Sequence, residues 1–312
     1  MNKLEKAIER VKTQLPQLEL LENESLSEHS SFKIGGNARA MALPSNNQEL
    51  ACLCRLLHEE GVKPMPLGRG SNILFPDEGL GNTFIIATDK LQTLELRENG
   101  SIYASSGVSL AKLSNFAYQN GFKGLEFASG IPGSLGGGLV MNAGAYGGEL
   151  KDCVVKTEFY CLDRQDIFYL DNAGCLFEYR GSIFKNHGAC IITGAVLKLE
   201  KGEKEEIAEK MRGFNESRRE KQPLNFPSAG SAFKRPEGHF AAALIDQAGL
   251  KGYTVGGAQV SEKHAGFVVN TGNASAADVR QLMEDVQRIV EEKCGVKLEP
   301  EMIMLSPKHG EK

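Results

Sequence analysis

The stretch ASGIPGSLGGGLVMNAGAYG, residues 128–147, decides how this chain is read. Seven of its residues are glycine, and each costs conformational entropy that a fold otherwise avoids. Such a density argues for backbone that a ligand approaches closely. A second glycine turn precedes it, PLGRGSNILF at 66–75. There Gly68 and Gly70 are permissive in φ, while Ser71 and Asn72 add a hydroxyl and an amide. Successive exposed N–H groups in such a turn form a nest for an anion, typically phosphate. Two such loops predict a ligand with two phosphates and a flat ring system. Neither matches G-x-G-x-x-G between strand and helix, nor the P-loop, which needs Lys-Ser/Thr after its last glycine. From the residues alone the ligand is nucleotide-like and unnamed.

The rest of the composition narrows the class. At 312 residues the chain calls for two or three domains. Its hydrophobic fraction of 41% and charged fraction of 24% are those of an ordinary soluble globular protein. A formal net charge of −4 makes no case for nucleic acid, which wants a basic patch. No apolar run approaches the roughly 18 residues of a membrane helix. The start, MNKLEKAIERVK, is charged throughout and lacks the apolar core of a secretory signal. The expected setting is therefore cytoplasmic, without membrane or nucleic-acid partners. Seven scattered cysteines have no C-x-x-C or zinc-type spacing. Cys52 and Cys54 form C-x-C on a predicted helix, where neighbours two apart point to different faces. The six histidines lack H-x-x-x-H spacing, so reduced thiols and no metal site are expected.

Three regions differ in texture. Residues 1–32 read as a helix-rich lead broken near Pro16. Residues 33–200 are glycine-rich with short β-type runs at 83–87, 101–106, 153–161 and 189–199. Helical patterns near 46–60 and 109–120 each stop at a glycine, Gly61 and Gly121. A charged amphipathic helix spans 201–222 and leads into a third region to 305, followed by a tail at 306–312. In that region Val279, Leu282, Met283, Val286, Ile289 and Val290 make one apolar stripe over 275–294. Ser275 and Asp278 fit a capping box at its start. HAGFVVN (264–270) and KLEPEMIML (297–305) read as strands before and after it. Short strands that outnumber helices predict an α+β fold rather than a doubly wound sheet.

The order SSFKIGG (30–36), PLGRGSNILF, GIPGSLGGGLVMNAGAYG, EYRGSIFK (178–185), QPLNFPSAGSAFKRP (222–236), AGLKGYTVGGAQVSEKHAGFVVN (248–270) and LEPE (298–301) resembles the UDP-N-acetylenolpyruvoylglucosamine reductase family. The resemblance covers about residues 29 to 305. It implies a vanillyl-alcohol-oxidase/PCMH-type FAD-binding domain and a smaller C-terminal α/β substrate-binding domain. The activity implied is reduction of a UDP-GlcNAc enolpyruvyl ether to UDP-N-acetylmuramate, with NADPH as donor and non-covalent FAD as carrier. A monomer with no obligate protein partner is expected.

The resemblance also assigns residues. Arg180 of YRGS, Ser231 of GSAF and Glu301 of LEPE match the family's catalytic set. Taken singly they read as a surface ion pair, a turn hydroxyl and a strand-end charge. Implied for FAD are Gly68, Arg69, Gly70, Ser71 and Asn72, with Gly130, Ile131, Pro132, Gly133, Gly136, Gly137, Asn142 and Ala143. Lys221 and Arg218 are the expected partners of the UDP diphosphate. The chemistry suits this set, because hydride arriving at C3 of the enolpyruvyl group pushes charge onto C2 and its carboxylate. Arg180 offers a permanent cation with a planar fork, and Glu301 helps only as a neutral acid, so a raised pKa is expected. Ser231 would hand a proton to C2, a carbanion basic enough to take one from a hydroxyl. One departure is Arg235 in FKRP, where the family commonly has Asn. The chain also lacks the inserted tyrosine loop of longer relatives. The alternatives are another FAD oxidoreductase of that superfamily, or a nucleotide-binding protein without catalysis.

Overall fold

A computed structural model describes residues 2–186 and 189–307. Most of the predicted tail at 306–312 lies outside these residues. The chain divides into two compact units, each drawn from separated segments. One is Met1–Glu22, Ala40–Arg69 and Asn82–Ser217; the other is Asn23–Arg39, Gly70–Gly81 and Arg218–Lys312. The linear reading draws single cuts near 32 and 200, whereas these units interleave along the chain.

The first unit opens with helix Lys3–Gln14. Asn2 and Glu5 close a capping box, and Leu4, Ala7, Ile8 and Val11 turn one stripe inward. The helix-rich lead is corrected here: past Pro16 the chain runs as strand Glu19–Ser25. Leu15 before proline is pushed out of the helical region. Helix Asn47–Glu59, N-capped by Asn46, buries Leu50, Leu53, Cys54 and Leu57 in a core shared with Ala40, Ala42, Phe84 and Ile86. The larger sheet of this unit orders Asp166–Asp171, Val154–Cys161, Cys190–Leu197, Ile102–Ser105 and Leu94–Leu96 side by side, all antiparallel. Helix Leu110–Gln119 buries Leu113 and Ala117 against it.

The glycine stretch is not all loop. Leu135–Met141, sequence LGGGLVM, is helical, although glycine is a poor helix former. Its first turn is held from outside. Leu135 N donates to Val108 O and Gly136 N to Ser106 O, both at 2.8 Å, and Leu110 N donates to Gly133 O at 3.0 Å. Tertiary hydrogen bonds thus replace the propensity that the residues lack.

The second unit is built on the antiparallel sheet Ser228–Ser231, Phe267–Asn270, Ala258–Val260, Thr254–Val255. Helix Ala276–Cys294 packs on it through Val279, Leu282, Met283, Val286 and Val290, with Leu244 and Ile245 of helix Ala241–Gln247 in the same core. The strand expected over 297–305 is only Ile303–Met304, parallel to Ile73–Leu74. Pro300 has no N–H for a ladder, and Leu298 and Met302 plug the core instead. The α+β class holds. No helix among the described residues is long and apolar enough to cross a membrane, and they contain no metal-ligating cluster.

The start of helix Ala276–Cys294 shows why this unit closes. A helix leaves its first N–H groups without intrahelical partners. Asp77, almost two hundred residues away, accepts from Ala276 N at 2.7 Å and Ala277 N at 3.1 Å. Ser275 Oγ accepts from Asp278 N at 3.0 Å, and Asp278 Oδ2 takes Ser275 N at 2.9 Å. The Asp278 carboxyl is held below its usual range, first by the Ser275 N–H. Its stabilising share is therefore present above the ordinary carboxylate range and lost as pH falls through the depressed value. Asp77→Ala is expected to cost about 1–2 kcal/mol, read as a lower urea midpoint, with faster amide exchange at 276 and 277. Unchanged exchange there would remove Asp77 as the cap.

Candidate active site

Each unit gathers part of the predicted site. In the first, Gly68 lies against the glycine stretch: a β-carbon on it would come within 2.7 Å of Ser134 Oγ. Ser134 and Ser106 are buried, and their hydroxyls have no partner among the described residues. An unpaired buried hydroxyl costs free energy until something pairs with it. Gly137 borders Ser134, and Gly136 borders Ser106. Exposed Gly137, which leaves its backbone open to close approach, and the two unpaired hydroxyls nearby fit a phosphate-bearing cofactor such as FAD. Ser106 and Ser134 were missed in the sequence because isolated serines carry no spacing signal.

The FAD residues expected from the sequence divide by environment. Gly130, Ile131, Pro132, Gly137 and Ala143 are exposed or half-buried. Gly133 and Gly136 are buried and spend backbone groups on Leu110 and Ser106. Asn142 is fully buried, with φ +43 at the end of its helix. Its side chain donates to Glu149 Oε2 at 3.0 Å and Glu178 O at 3.1 Å, and accepts from Lys151 N at 3.0 Å. That amide therefore works as a brace between the glycine stretch and the turn that bears Arg180.

The turn itself is Glu178–Gly181, closed by Glu178 N to Gly181 O at 3.0 Å and Gly181 N to Glu178 O at 3.2 Å. Arg180 has φ +56, a left-handed conformation rare for a long side chain and costly enough to need support. Support comes from Lys185 Nζ on Arg180 O at 2.9 Å and Ser182 Oγ on Val140 O at 3.0 Å. The Arg180 guanidinium lies 5.0 Å from the centre of the Tyr179 ring.

Helix Lys204–Lys221 is fastened to the glycine stretch within the first unit. Tyr146, at φ +52, stacks on Phe214 with ring centres 4.4 Å apart and an interplanar angle of 5°. Its hydroxyl donates to Phe214 O at 3.0 Å, and Asn215 Nδ2 donates to Ser129 Oγ at 3.2 Å. Sequence reasoning missed both fastenings. Arg218 and Lys221 occupy the last turn of this helix, just past the anchor.

The second unit brings four distant motifs together. Ser31 Oγ donates to Ser228 O at 2.7 Å, and Ser31 N to Gly70 O at 3.4 Å. Gly70 has φ +56, and a β-carbon on it would lie 2.0 Å from His29 O, so no other residue fits there. Asn72 O accepts from Ile303 N at 3.0 Å, while Asn72 Nδ2 donates to Glu301 O at 3.3 Å. Glu301 N donates to Ala232 O at 2.9 Å, and Phe233 bridges Pro300. Ser231, exposed at the end of its strand, and half-buried Glu301 are thereby locked on neighbouring segments. Gly68 and Arg69 belong to the first unit, Gly70, Ser71 and Asn72 to the second.

Comparison with known proteins identifies the family. Residues 38–163 match an FAD binding domain family. Residues 222–305 match the UDP-N-acetylenolpyruvoylglucosamine reductase C-terminal domain. The UDP-N-acetylenolpyruvoylglucosamine reductase of Caldanaerobacter subterraneus subsp. tengcongensis is 45% identical over 303 residues, 96% of this chain and 98% of the relative. That of Lachnoclostridium phytofermentans is 45% identical over 289 residues, 92% of this chain and 93% of the relative. The crystal structure of the Thermus caldophilus reductase superposes with a TM-score of 0.77 at 32% identity, covering 93% of this chain and 99% of that one. The chain belongs to the UDP-N-acetylenolpyruvoylglucosamine reductase family, FAD-dependent oxidoreductases of peptidoglycan precursor synthesis.

Proposed function

We propose that the protein reduces UDP-N-acetylglucosamine enolpyruvate to UDP-N-acetylmuramate, with NADPH as electron donor and Arg180, Ser231 and Glu301 as its catalytic residues. FAD held there would supply hydride transfer, from NADPH to C3 of the enolpyruvyl group. Gly68, Arg69, Gly70, Ser71 and Asn72, with residues of the 130–143 stretch, would hold it non-covalently. The reading assigns residues 33–200 to the cofactor and 201–305 to the sugar nucleotide. It also takes the protein to work as a cytoplasmic monomer serving wall growth, cell shape and division.

The chain's own groups have distinct tasks. Arg180 would pair with the substrate carboxylate, and its fixed charge offsets the charge that develops there. Glu301, kept neutral, would donate a hydrogen bond to the same carboxylate. Ser231 would deliver the proton to C2 and recover one afterwards. Lys221 or Arg218 would pair with the diphosphate and steady the transient alkoxide. The observation that carries the reading is the backbone lock that sets Ser231 beside the Glu301 segment: Glu301 N on Ala232 O at 2.9 Å, with the Phe233–Pro300 bridge. The costly φ of +56 at Arg180 adds support, because strain of this kind persists where its surroundings enforce it.

The two half-reactions separate the roles. In Ser231→Ala, anaerobic reduction of the flavin by NADPH should proceed at the normal rate. Its reoxidation by the enolpyruvyl substrate should slow about 10²–10⁴-fold. Equal loss in both halves would remove Ser231 as proton donor. Arg180→Lys keeps the charge and loses the planar fork. Its reoxidation step is expected to fall about 10²–10³-fold, with flavin content and NADPH oxidation retained. Wild-type reoxidation in that variant would take Arg180 out of the set.

A further inference from the structure

Two cysteines that the reaction does not use face each other across the large sheet of the first unit. Strands Val154–Cys161 and Cys190–Leu197 run antiparallel, and Cys161 and Cys190 are register partners. The adjacent pair is hydrogen-bonded, Leu162 N to Ala189 O at 2.7 Å. Ladder hydrogen bonds alternate along an antiparallel pair, so Cys161 and Cys190 occupy the non-hydrogen-bonded position, where side chains share a face and Cα atoms approach to about 4.5 Å. That spacing lies at the short end of the disulfide range, about 4.4–6.8 Å.

The other thiols have different surroundings. Cys54 is packed in the core. Cys153 donates to Leu150 O at 3.4 Å, Cys175 to Thr157 Oγ1 at 3.3 Å and Cys294 to Leu244 O at 4.0 Å. Cys52 accepts from Arg55 at 3.4 Å. Cys161 and Cys190 are both partly exposed, open to a small oxidant.

We propose that Cys161 and Cys190 form a reversible cross-strand disulfide under peroxide, a modification site separate from the reductase chemistry. One sulfur attacks a peroxide oxygen, the O–O bond breaks, and water leaves as a sulfenic acid forms. The second sulfur then displaces the sulfenic hydroxyl as another water. Two thiols lose two protons and two electrons, and hydrogen peroxide takes them up to become two waters. Burial first, then the charge of Cys161, push the Cys190 thiol up to about 11, so that thiol rests protonated. Both cysteines are partly exposed, so the bridge is open to attack by a reducing thiol, the property of a switchable bond rather than a structural one. It would close the segment 162–189, which carries Arg180, at both of its ends.

The test uses the flavin-loaded protein. It is treated with hydrogen peroxide, its remaining thiols are alkylated, and it is digested without reductant for peptide mass mapping. The expected result is one linked peptide pair joining Cys161 to Cys190, two fewer alkylated cysteines, and full reversal by dithiothreitol. Cys161→Ser should leave Cys190 unlinked, and Cys190→Ser the reverse. Continued alkylation of both residues after peroxide would overturn the proposal. So would separate sulfinic acids on the two, or a link from either to a different cysteine.

Discussion

The packing of the Gly133–Gly137 backbone on residues 106–110 is the constraint from which the first unit's site follows. Three hydrogen bonds, from Leu135, Gly136 and Leu110, draw the two segments together. They do so only because no side chain stands between them: a β-carbon at Gly136 would meet Ser106 Cβ at 2.8 Å. That approach makes a helix out of LGGGLVM despite its weak propensity, and it buries two serine hydroxyls without partners among the described residues. The helix then ends at Asn142, whose amide reaches Glu178 O and so fixes the turn that presents Arg180. One close backbone contact therefore positions both the two buried serines and the turn that carries Arg180.

The second unit depends on a different device, the meeting of short segments far apart in the chain. Ile73–Leu74 and Ile303–Met304 are each too short to be strands alone, and they exist as a parallel pair. Asp77 caps a helix that begins at residue 276, and Ser31 is bonded to Ser228. The motifs 30–36, 66–75, 222–236 and 298–301 thus bond to one another's backbone. Ser231 and Glu301 inherit their placement from this mutual bonding.

Much of this was legible in the residues. The apolar stripe of helix Ala276–Cys294 and its capping box, the helices that stop at Gly61 and Gly121, and the central strands all carry local signals: period, cap and stop. The misreadings share one cause. The strand at Glu19–Ser25, the helix in the glycine stretch and the shortness of the final strand each depend on a distant partner, and local propensity does not encode one. In the candidate site, the residues singled out from the sequence were those in recognisable motifs. Ser106, Ser134, Tyr146 and Asn215 were missed because their roles arise from burial and from neighbours brought up by the fold.

By itself the sequence determined the class of ligand, the α+β composition and the family, because glycine density, periodicity and motif order are properties of the linear chain. Tertiary structure alone decided that the compact units interleave, that Asn142 braces rather than reaches outward, that Arg180 sits at positive φ, and that Cys161 lies opposite Cys190. The physical reason is the range of the interactions. Propensity and capping act within a few residues, whereas register and hydrogen-bond satisfaction are settled only when distant segments share one ladder or one buried surface.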